Sequence, residues 1–328
     1  MKYKEHILGY ALFLLPLHRR ELTINMKFDI HILGCGSAVP TSRHLLSSQV
    51  INIREKLFMI DCGEGTQFQL RKSRLKFSRL NRIFISHLHG DHFFGLFGLI
   101  STFGLLGRTA DMHIYSPAGL KKTLGPVFDV FCANLSYKLF FHEFDVVEPV
   151  LLYEDRSVKI TTIPLNHRMP CCGFLFNEKP RPAHILREEI DFHKIPVYEI
   201  NRIKNGADYI KEDGTVIPHE KLTTPSTPPR SYAYCSDTAF HPPIIDLIKG
   251  IDLLYHESTF GEDQRKRADE TFHSTARDAA RIAKKAAVDQ LLIGHFSARY
   301  TDETVLLNEA KEVFPNTLLA YEQLCISL

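Results

Sequence analysis

The sequence lacks the cysteine spacing that ties a small fold together through disulfides or a metal. Its seven cysteines are scattered, no C-x-x-C pair occurs, and Cys171 and Cys172 are neighbours. An odd number of cysteines without paired spacing indicates neither a disulfide framework nor a cysteine zinc site. We therefore expect a reduced protein of the cytoplasm.

The sequence also lacks an apolar run long enough to span a bilayer. Residues 7–17 are apolar but too few, and Pro16 interrupts them. Lysines precede this stretch as they do in a secretory signal, yet no A-x-A-like cleavage site follows it. Because Met26 directly precedes a clean strand pattern, we interpret residues 1–25 as a leader outside the fold. We expect no membrane partner.

An excess of charge of one sign is absent as well. The chain has 40 Lys and Arg residues against 38 Asp and Glu residues, a net charge of +2. This balance neither requires nor excludes a polyanionic partner. With 328 residues, 44% of them hydrophobic, the chain can bury a large core as one big domain or two ordinary ones.

Strand and helix patterns alternate from Met26 onward. In the first half, strand-like runs lie at 27–33, 47–53, 57–61, 82–86 and 112–115, with further strands within 138–176. Helical patterns lie at 65–76, 92–106 and 117–132. The second half has strands at 232–235, 252–255, 290–293 and, as the last one, 317–321, with helices at 274–288 and 302–312. Two mixed halves, each sheet covered by helices, predict an α/β protein with a four-layer αββα sandwich. We interpret the apolar segment 93–97 as core.

Residues 177–230, between the two halves, differ in character. This stretch is rich in charge and proline, with nine Lys and Arg against nine Asp and Glu. A long, weakly patterned insertion in a compact domain is usually functional or mobile. Its charge alone does not mark it as a nucleic-acid clamp.

Four metal-capable side chains follow a strand-like stretch within six residues: His87, His89, Asp91 and His92. In an extended segment residues i and i+2 point the same way, so His87 and His89 can reach one ion together. Gly90 permits a sharp turn, after which Asp91 and His92 open a helix and face a second ion. Imidazole and carboxylate are zinc-type ligands, and two adjacent ions suit hydrolysis of a phosphate or an ester.

Further ligands must come from elsewhere, because six residues cannot complete two zinc sites. His167, Asp237 and His295 each follow a strand pattern. The carboxyl ends of strands are where α/β sheets assemble sites, so these three side chains are the candidates.

The spacing of the His87–His92 cluster resembles the signature of the metallo-β-lactamase superfamily. The order of the remaining motifs is similar to that of the ribonuclease Z family of tRNA 3′-processing endonucleases. These motifs are Leu33-Gly-Cys-Gly-Ser-Ala-Val-Pro-Thr41, Asp61-Cys-Gly-Glu-Gly-Thr-Gln67, Gly95-Leu-Phe-Gly-Leu99, Ile114-Tyr-Ser-Pro-Ala-Gly-Leu120, His256-Glu-Ser-Thr-Phe260, His273-Ser-Thr275 and His295-Phe-Ser-Ala-Arg-Tyr300. The resemblance covers nearly all of residues 28–300. It implies a metallo-β-lactamase-type domain over residues 26–328 with an inserted arm at about 177–230.

The resemblance assigns roles to matching residues. It implies one zinc ion on His87, His89 and His167 and a second on Asp91, His92 and His295, with Asp237 bridging them. Asp91 matches the family's proton acceptor. Glu257 and His273 match an acid/base pair near the scissile phosphate, in which His273 can protonate the leaving O3′ oxygen.

The implied function is removal of the 3′ trailer from precursor tRNA, leaving a 3′-hydroxyl on the tRNA and a 5′-phosphate on the trailer. The family also suggests a homodimer and an arm that grips the tRNA elbow through a Gly-Pro motif. The chain has no Gly-Pro at that place. Lys194, Arg202 and Lys204 are the candidate phosphate contacts of the arm.

Two other functions fit parts of the pattern. A phosphodiesterase or related hydrolase of small substrates would share the dinuclear site without docking tRNA. A non-catalytic metal-binding or RNA-binding module would share the ligands alone. The Glu257 and His273 pair argues against such a module, because a protein that only binds does not need an acid/base pair.

Overall fold

The structure is a computed structural model that describes residues 26–132 and 134–328. The leader interpretation for residues 1–25 lies outside the described residues. Within them, two seven-stranded sheets are flanked by helices, which confirms the predicted αββα sandwich. None of the helices in the described part has the length and apolar character needed to cross a membrane.

The first sheet has the order β18-β1-β2-β3-β4-β5-β6. Strands β3 to β6 run parallel, whereas β18, β1 and β2 pair antiparallel with their neighbours. The strands are β1 Phe28–Gly34, β2 Ser48–Ile53, β3 Lys56–Ile60, β4 Leu80–Phe84, β5 Met112–Pro117, β6 Leu139–Phe144 and β18 Cys325–Ser327.

The second sheet has the order β17-β16-β15-β14-β9-β8-β7. Strands β14 to β17 run parallel, and the others pair antiparallel. The strands are β7 Leu151–Glu154, β8 Val158–Pro164, β9 Cys172–Glu178, β14 Ser231–Cys235, β15 Leu253–Glu257, β16 Gln290–Gly294 and β17 Thr317–Leu319.

The helices outside the inserted segment pack on the outer faces of the sheets. They are α1 Thr66–Lys72, α2 Gly90–Phe93, α3 Leu96–Leu105, α4 Leu120–Phe131, α8 Arg265–Thr271, α9 Ala276–Ala286 and α10 Thr304–Lys311, with short 3-10 turns at Phe77–Arg79, Pro242–Asp246 and Glu262–Gln264. A capping box fixes the start of α9, because the Thr275 side chain accepts from the Asp278 N–H and the Asp278 carboxylate accepts from the Thr275 N–H.

Alternation of side chains along the strands divides the core into layers. In β3, Phe58 joins the large cluster between the two sheets, whereas Met59 faces the helices α1, α3 and α4. In β4, Phe84 and Ile83 divide in the same way. This period of two is what a strand buried on both faces requires.

The inserted segment has its own small core. It comprises β10 His184–Ile185, α5 Arg187–His193, α6 Val197–Lys204, β11 Tyr209–Ile210, β12 Val216–Ile217, α7 His219–Leu222 and β13 Thr223–Thr224. Strand β10 pairs antiparallel with β13, so the chain enters and leaves the segment side by side. A separate apolar cluster formed by Ile190, Ile195, Ile203, Ile217 and Leu222 holds these elements together.

Two sequence predictions about elements are wrong in detail, and one helix is missing from them. The helix predicted at 92–106 is broken at Phe94 and Gly95, because the Gly95 N–H bonds to the Cys62 carbonyl across the loop. The strand at Thr317–Leu319 is not the last, since β18 follows it and pairs with β1. Helix α8 was not predicted.

Candidate metal centre

The candidate ligands converge at one edge of the sandwich because each follows the carboxyl end of a strand. His87 and His89 follow β4, and His167 follows β8. Asp237 and His295 follow β14 and β16. Asp91 and His92 lie in α2, as the sequence predicted. The structure thus brings together all seven residues that the sequence proposed.

The first ligand group consists of His87, His89, His167 and Asp237. The Nδ1 atom of His89 lies 2.9 Å from His87 Nε2 and 3.2 Å from His167 Nε2. Asp237 Oδ1 lies 3.9 Å from His87 Nε2 and 4.0 Å from His167 Nε2. Three ring nitrogens and one carboxylate oxygen therefore surround one point.

The second ligand group consists of Asp91, His92 and His295, with Asp237 beside it. Asp237 Oδ2 lies 3.0 Å from His92 Nε2 and 3.2 Å from His295 Nε2. Asp91 Oδ2 lies 3.6 Å and 3.8 Å from the same two nitrogens. Asp237 turns one oxygen to each group, which is the arrangement of a bridging carboxylate.

The donor atoms of this cluster fit two zinc-type ions. His92 Nε2 and His295 Nε2 are buried and, although Asp237 Oδ2 lies 3.0 and 3.2 Å away, neither makes a hydrogen bond of acceptable geometry with the described residues. A buried ring nitrogen without a partner is costly unless something else occupies its lone pair. The imidazole and carboxylate donors are those that zinc prefers.

The other ring nitrogen of each buried histidine is held by the protein. His87 Nδ1 lies 3.0 Å from Ser86 Oγ, and His295 Nδ1 lies 2.9 Å from Thr259 Oγ1. His167 Nδ1 donates to the Phe272 carbonyl at 3.0 Å. These bonds fix the orientation of each ring and leave Nε2 for the centre. Thr259 lies in a motif that the sequence analysis quoted without giving this residue a role.

Asp61 is a second functional residue that sequence reasoning left without a role. It is fully buried, and its Oδ2 lies 2.7 Å from His92 Nδ1. Its carboxylate also accepts from the Ser86 N–H and hydroxyl and from the Tyr234 hydroxyl, at 2.8 to 2.9 Å. A carboxylate behind a metal-facing histidine orients the ring and raises its basicity. Its position directly after β3, on the same edge as the ligands, is the signal that could have found it.

The electrostatics of the cluster follow from burial and crowding. Burial lowers the pKa of His87 well below its ordinary value, and the nearby His92 lowers it further. For His92 burial acts in the same direction, but Asp237, Asp61 and Asp91 together raise its pKa well above the ordinary value. Burial opposes ionisation of Asp237, yet the neighbouring histidines hold its pKa well below the usual range. The buried carboxylates and imidazoles of the cluster therefore shift one another's pKa strongly.

Glu257 and His273 form a pair beside the cluster. His273 Nδ1 lies 2.9 Å from Glu257 Oε1 and 3.8 Å from Asp237 Oδ1. The buried Glu257 also accepts from the Thr238 N–H at 2.7 Å, so its position is fixed. Burial opposes protonation of His273, but the adjacent Glu257 carboxylate raises its pKa to about 9. The pair has the geometry of an oriented proton donor.

The opening loop after β1 closes one side of the site. The Ala38 N–H donates to Asp91 Oδ2 at 2.8 Å, and Ala38 adopts a left-handed φ of 56° to do so. A cavity of about 450 Å³ lies between this loop and the cluster. Ser37, Pro40, Leu46, Glu64 and Phe94 complete its walls, and Asp91, His89, Asp237, His273 and His295 lie at its base.

Three residues of the centre have strained backbones. Asp61, Asp237 and His295 have φ values of 54°, 62° and 61°. Non-glycine residues seldom adopt this left-handed conformation, and such outliers cluster at functional sites. The fold imposes these conformations at the ends of β3, β14 and β16.

The proposed RNA contacts lie apart from the cluster. Lys194 is exposed at the end of α5, and Lys204 ends α6 and borders a cavity with Arg181 and His219. Arg202 is exposed and pairs with Glu199 at 2.8 Å. None of the three candidates borders the cavity beside the metal cluster.

The paired sheets and the two-group ligand cluster define a metallo-β-lactamase-fold hydrolase. The profile of a family described as Anti-Pycsar protein Apyc1 matches residues 28–180, less than half of the chain. Ribonuclease Z of Bacteroides thetaiotaomicron is 66% identical over 302 residues, 92% of this chain and 96% of that protein. Ribonuclease Z of Porphyromonas gingivalis is 54% identical, with 92% and 99% covered.

Solved structures agree with these relatives. The short form of human tRNase Z superimposes with a TM-score of 0.66 at 27% identity, over 91% of this chain and 98% of that one. The metallo-β-lactamase-fold protein YhfI of Bacillus subtilis gives 0.65 at 18% identity, over 92% and 99%, and shows the fold alone. The chain belongs to the ribonuclease Z family.

Proposed function

We propose that the protein is a zinc-dependent endoribonuclease that removes the 3′ trailer from precursor tRNA. The products are a tRNA with a 3′-hydroxyl and a trailer with a 5′-phosphate. The observation that carries this proposal is the two-group ligand cluster with Glu257 and His273 beside it, in a chain of this family.

Asp91 and Asp237 set up the attack on phosphorus. Two zinc-type ions bound at the cluster would lower the pKa of a water molecule and stabilise charge on the phosphoryl oxygens. The Asp91 carboxylate orients that water and takes its proton, while the Ala38 N–H fixes the carboxylate in place. Asp237 holds the two ligand groups in register because it faces both.

His273 serves the opposite end of the reaction. The leaving O3′ oxygen is strongly basic and needs a proton as the bond to phosphorus breaks. The contact of Nδ1 with Glu257 fixes the tautomer and leaves Nε2 as the donor. Glu257 also stabilises the protonated ring, so the proton is present at neutral pH.

The inserted arm contributes to tRNA binding and not to the chemical step. It contributes none of the candidate ligands, and it packs around its own core. Lys194, Arg202 and Lys204 would meet phosphates of the tRNA. Such remote contacts are made in the ground state and in the transition state alike, so they change KM more than the chemical step.

The direct test compares two substrates. The purified protein should cleave precursor tRNA at the trailer junction and should turn over bis(p-nitrophenyl) phosphate more slowly. Slow processing of tRNA beside fast turnover of the small diester would instead favour a hydrolase of small substrates. Binding of both without turnover would leave a non-catalytic module.

Metal content and one carboxylate test the centre itself. Elemental analysis should find about two zinc-type ions per chain. The Asp91→Ala variant should lose turnover and keep its fold, because it removes a ligand and the proton acceptor together. Asp129→Ala, at an exposed aspartate of α4, is the control and should retain full activity. A near-normal rate in the Asp91 variant would overturn the mechanism.

We further propose that the protein works in the cytoplasm as a homodimer. All seven cysteines, which lie within the described residues, are free, as a reducing compartment requires. Membership of this family supports the dimer, and light scattering on the purified protein should give a mass near twice that of one chain. A single-chain mass at working concentration would contradict it.

A further inference from the structure

Phe94 is an exposed aromatic residue at the active-site cavity. The sequence interpretation placed residues 93–97 in the core, and Phe93 is indeed buried, with only 5% of its surface exposed. Phe94, however, is 51% exposed and borders the same cavity as Asp91 and His273. The interpretation is therefore wrong for Phe94. An exposed apolar ring beside a reaction centre is a candidate contact for the substrate.

The Phe94 ring is held in a fixed position. A Cβ atom at Gly90 would meet ring carbons of Phe94 at 2.3 to 2.8 Å, so the ring lies directly against the Gly90 backbone. The Phe93 ring contacts it edge-on, with centroids 4.9 Å apart and planes at 72°. Ordering this ring in the free protein means that a ligand need not supply that cost on binding.

The cavity beside Phe94 has both apolar and polar lining. Ala38, Pro40 and Leu46 border the cavity together with the Phe94 ring, Ser37 and Glu64 add polar groups, and the candidate metal ligands complete the lining. A nucleotide divides in the same way, into a charged phosphate and a planar base. The volume of about 450 Å³ lies within the range of pockets that hold small ligands.

We propose that Phe94 is a stacking platform for a nucleobase next to the scissile phosphate. The proposal rests on the proposed endoribonuclease function and names one side chain that positions the RNA. Single-stranded RNA is commonly read by stacking unpaired bases on aromatic side chains. Stacking tolerates every base, because each has a π face. Phe94 thus orients the phosphodiester for attack without reading the sequence.

Variants at position 94 separate stacking from packing. Phe94→Ala should lower kcat/KM for precursor tRNA by roughly tenfold or more, the usual effect of removing a stacking partner. Phe94→Tyr and Phe94→Trp should restore most of it, because both keep a ring. Phe94→Leu should remain impaired. Phe131→Ala, at an equally apolar and 79% exposed ring on α4, is the control and should behave like wild type.

The decisive experiment removes the base instead of the ring. Two precursors carry a single abasic nucleotide, one directly 5′ and the other directly 3′ of the scissile phosphate. On one of them wild type and Phe94→Ala should be equally slow, which identifies the stacked base as tRNA or trailer. Metal content and melting temperature of the variants establish that they are folded.

Two outcomes would overturn the proposal. If Phe94→Ala costs the same factor on both abasic precursors as on the intact one, the ring does not meet an adjacent base. If Phe94→Leu is as active as wild type, the residue only fills apolar space. A wild-type protein that leaves intact precursor tRNA uncleaved would refute the proposed function itself, and this inference with it.

Discussion

At the scale of single residues, the two nitrogens of a histidine ring at the centre have different partners. His87, His92 and His295 each present Nε2 to the cluster and give Nδ1 to a neighbour. The neighbours are a serine, an aspartate and a threonine, each buried and each bonded further into the protein. The side chains behind the ligands therefore set the geometry as much as the ligands do.

Asp61 offers a test of how much the partner behind a histidine contributes to metal binding. Asp61→Asn keeps the size of the side chain but weakens the bond to His92 Nδ1, so His92 should hold an ion less tightly. We expect a loss of about 10- to 100-fold in metal affinity or activity, as is usual for such partners. Elemental analysis after dialysis against a chelator, together with tRNA cleavage, measures both.

The control for Asp61 is another carboxylate of the same sheet. Asp29 is nearly buried and accepts from the Ser327 hydroxyl at 2.7 Å, remote in sequence from every ligand strand end. Asp29→Asn should retain its metal and its activity. If Asp61→Asn retained both as well, Asp61 would be a structural residue only.

His44 gives a prediction about pH. Its Nδ1 lies 3.1 Å from Glu322 Oε2 and its Nε2 lies 3.2 Å from Glu303 Oε1. The Glu322 bond raises the pKa of His44 above its ordinary value of 6.5, although burial opposes the shift. Cys35 Sγ, at 3.4 Å from Nδ1, and Arg43, which bonds to Glu303, are the other polar groups here.

A raised folded-state pKa stabilises the protein below the unfolded pKa, and the benefit disappears as pH rises through the folded value. His44→Asn should therefore lose about 1 kcal/mol of unfolding free energy at pH 6 and less at pH 9. Urea unfolding at the two pH values measures the difference. A loss that is equal at both would show that the charge of His44 plays no part. His184→Asn, at an exposed arm residue, is the matched control.

The residues show where sequence reasoning succeeds. The four candidate ligands within His87–His92 are predictable from local spacing alone, because strand and helix geometry fix their directions. His167, Asp237 and His295 needed the family resemblance, since each looks like an ordinary residue after a strand. Asp61 and Thr259 had no role assigned, because their importance depends on contacts across the two sheets.

At the scale of elements, the arm is a unit with adjacent ends. Strands β10 and β13 place Ile185 opposite Thr223. Directly paired residues of antiparallel strands are only about 5 Å apart, so a short linker can join them. The apolar cluster of the arm is separate from the two large ones. The arm is therefore removable without opening the main core.

Replacing residues 186–222 with four Gly and Ser residues should impair tRNA binding and leave the chemical step intact. We expect kcat/KM for precursor tRNA to fall by at least about tenfold, mainly through KM, because uniform binding is lost. Hydrolysis of bis(p-nitrophenyl) phosphate should stay near the wild-type rate. The salt dependence of tRNA binding should also flatten if Lys194, Arg202 and Lys204 meet phosphates.

Two other outcomes would change the interpretation of the arm. Equal losses on both substrates would mean that the insertion shapes the active site. No loss on tRNA would mean that an arm without Gly-Pro does not grip the substrate.

Element boundaries were harder to predict than element types, for a physical reason. The break lies where Gly95 packs closely on a distant loop: its N–H bonds to the Cys62 carbonyl, and a Cβ there would lie 2.1 Å from the Gly63 carbonyl oxygen. The final strand β18 has only three residues, and it pairs with β1, the first strand of the described residues. Neither contact leaves a periodic trace in the local sequence.

At the scale of the whole molecule, one buried carboxylate ties several parts together. Glu178 at the end of β9 bonds to Arg54, whose position follows β2 of the other sheet, at 2.9 Å. It also bonds to Arg181 at the base of the arm and to Arg230 before β14. Arg230 in turn donates to the Leu328 carbonyl at 2.9 Å. The network therefore joins both sheets, the arm and the end of the chain.

Glu178→Gln should destabilise the fold, because it leaves three neighbouring guanidinium groups without their counter-charge. We expect a loss of about 3 kcal/mol in the free energy of unfolding, measured in urea. Glu154→Gln is the matched control: its pair with Lys179 is exposed to solvent, so its loss should hardly change the unfolding free energy. Equal, small losses in both variants would show that the Glu178 network does not hold the molecule together.

The layered architecture was predictable because the hydrophobic patterns of strands and helices show which of their residues are buried. Order within the sheets was not, since β9 pairs with β14 across the whole arm. A sequence pattern identifies which residues are buried, whereas the partner that buries them is a property of the complete chain.

The strained conformations of Asp61, Asp237 and His295 have a consequence for ion exchange. These residues follow strands of the two packed sheets, so we expect the fold to hold their backbones in place before an ion binds. In small zinc domains, by contrast, stripping the metal unfolds the protein. A chelator should here yield a folded protein with unchanged circular dichroism, and zinc, manganese or cobalt added back should compete for the same two ligand groups. Which ion the enzyme carries would then depend on the supply in the cell and not on its folding history.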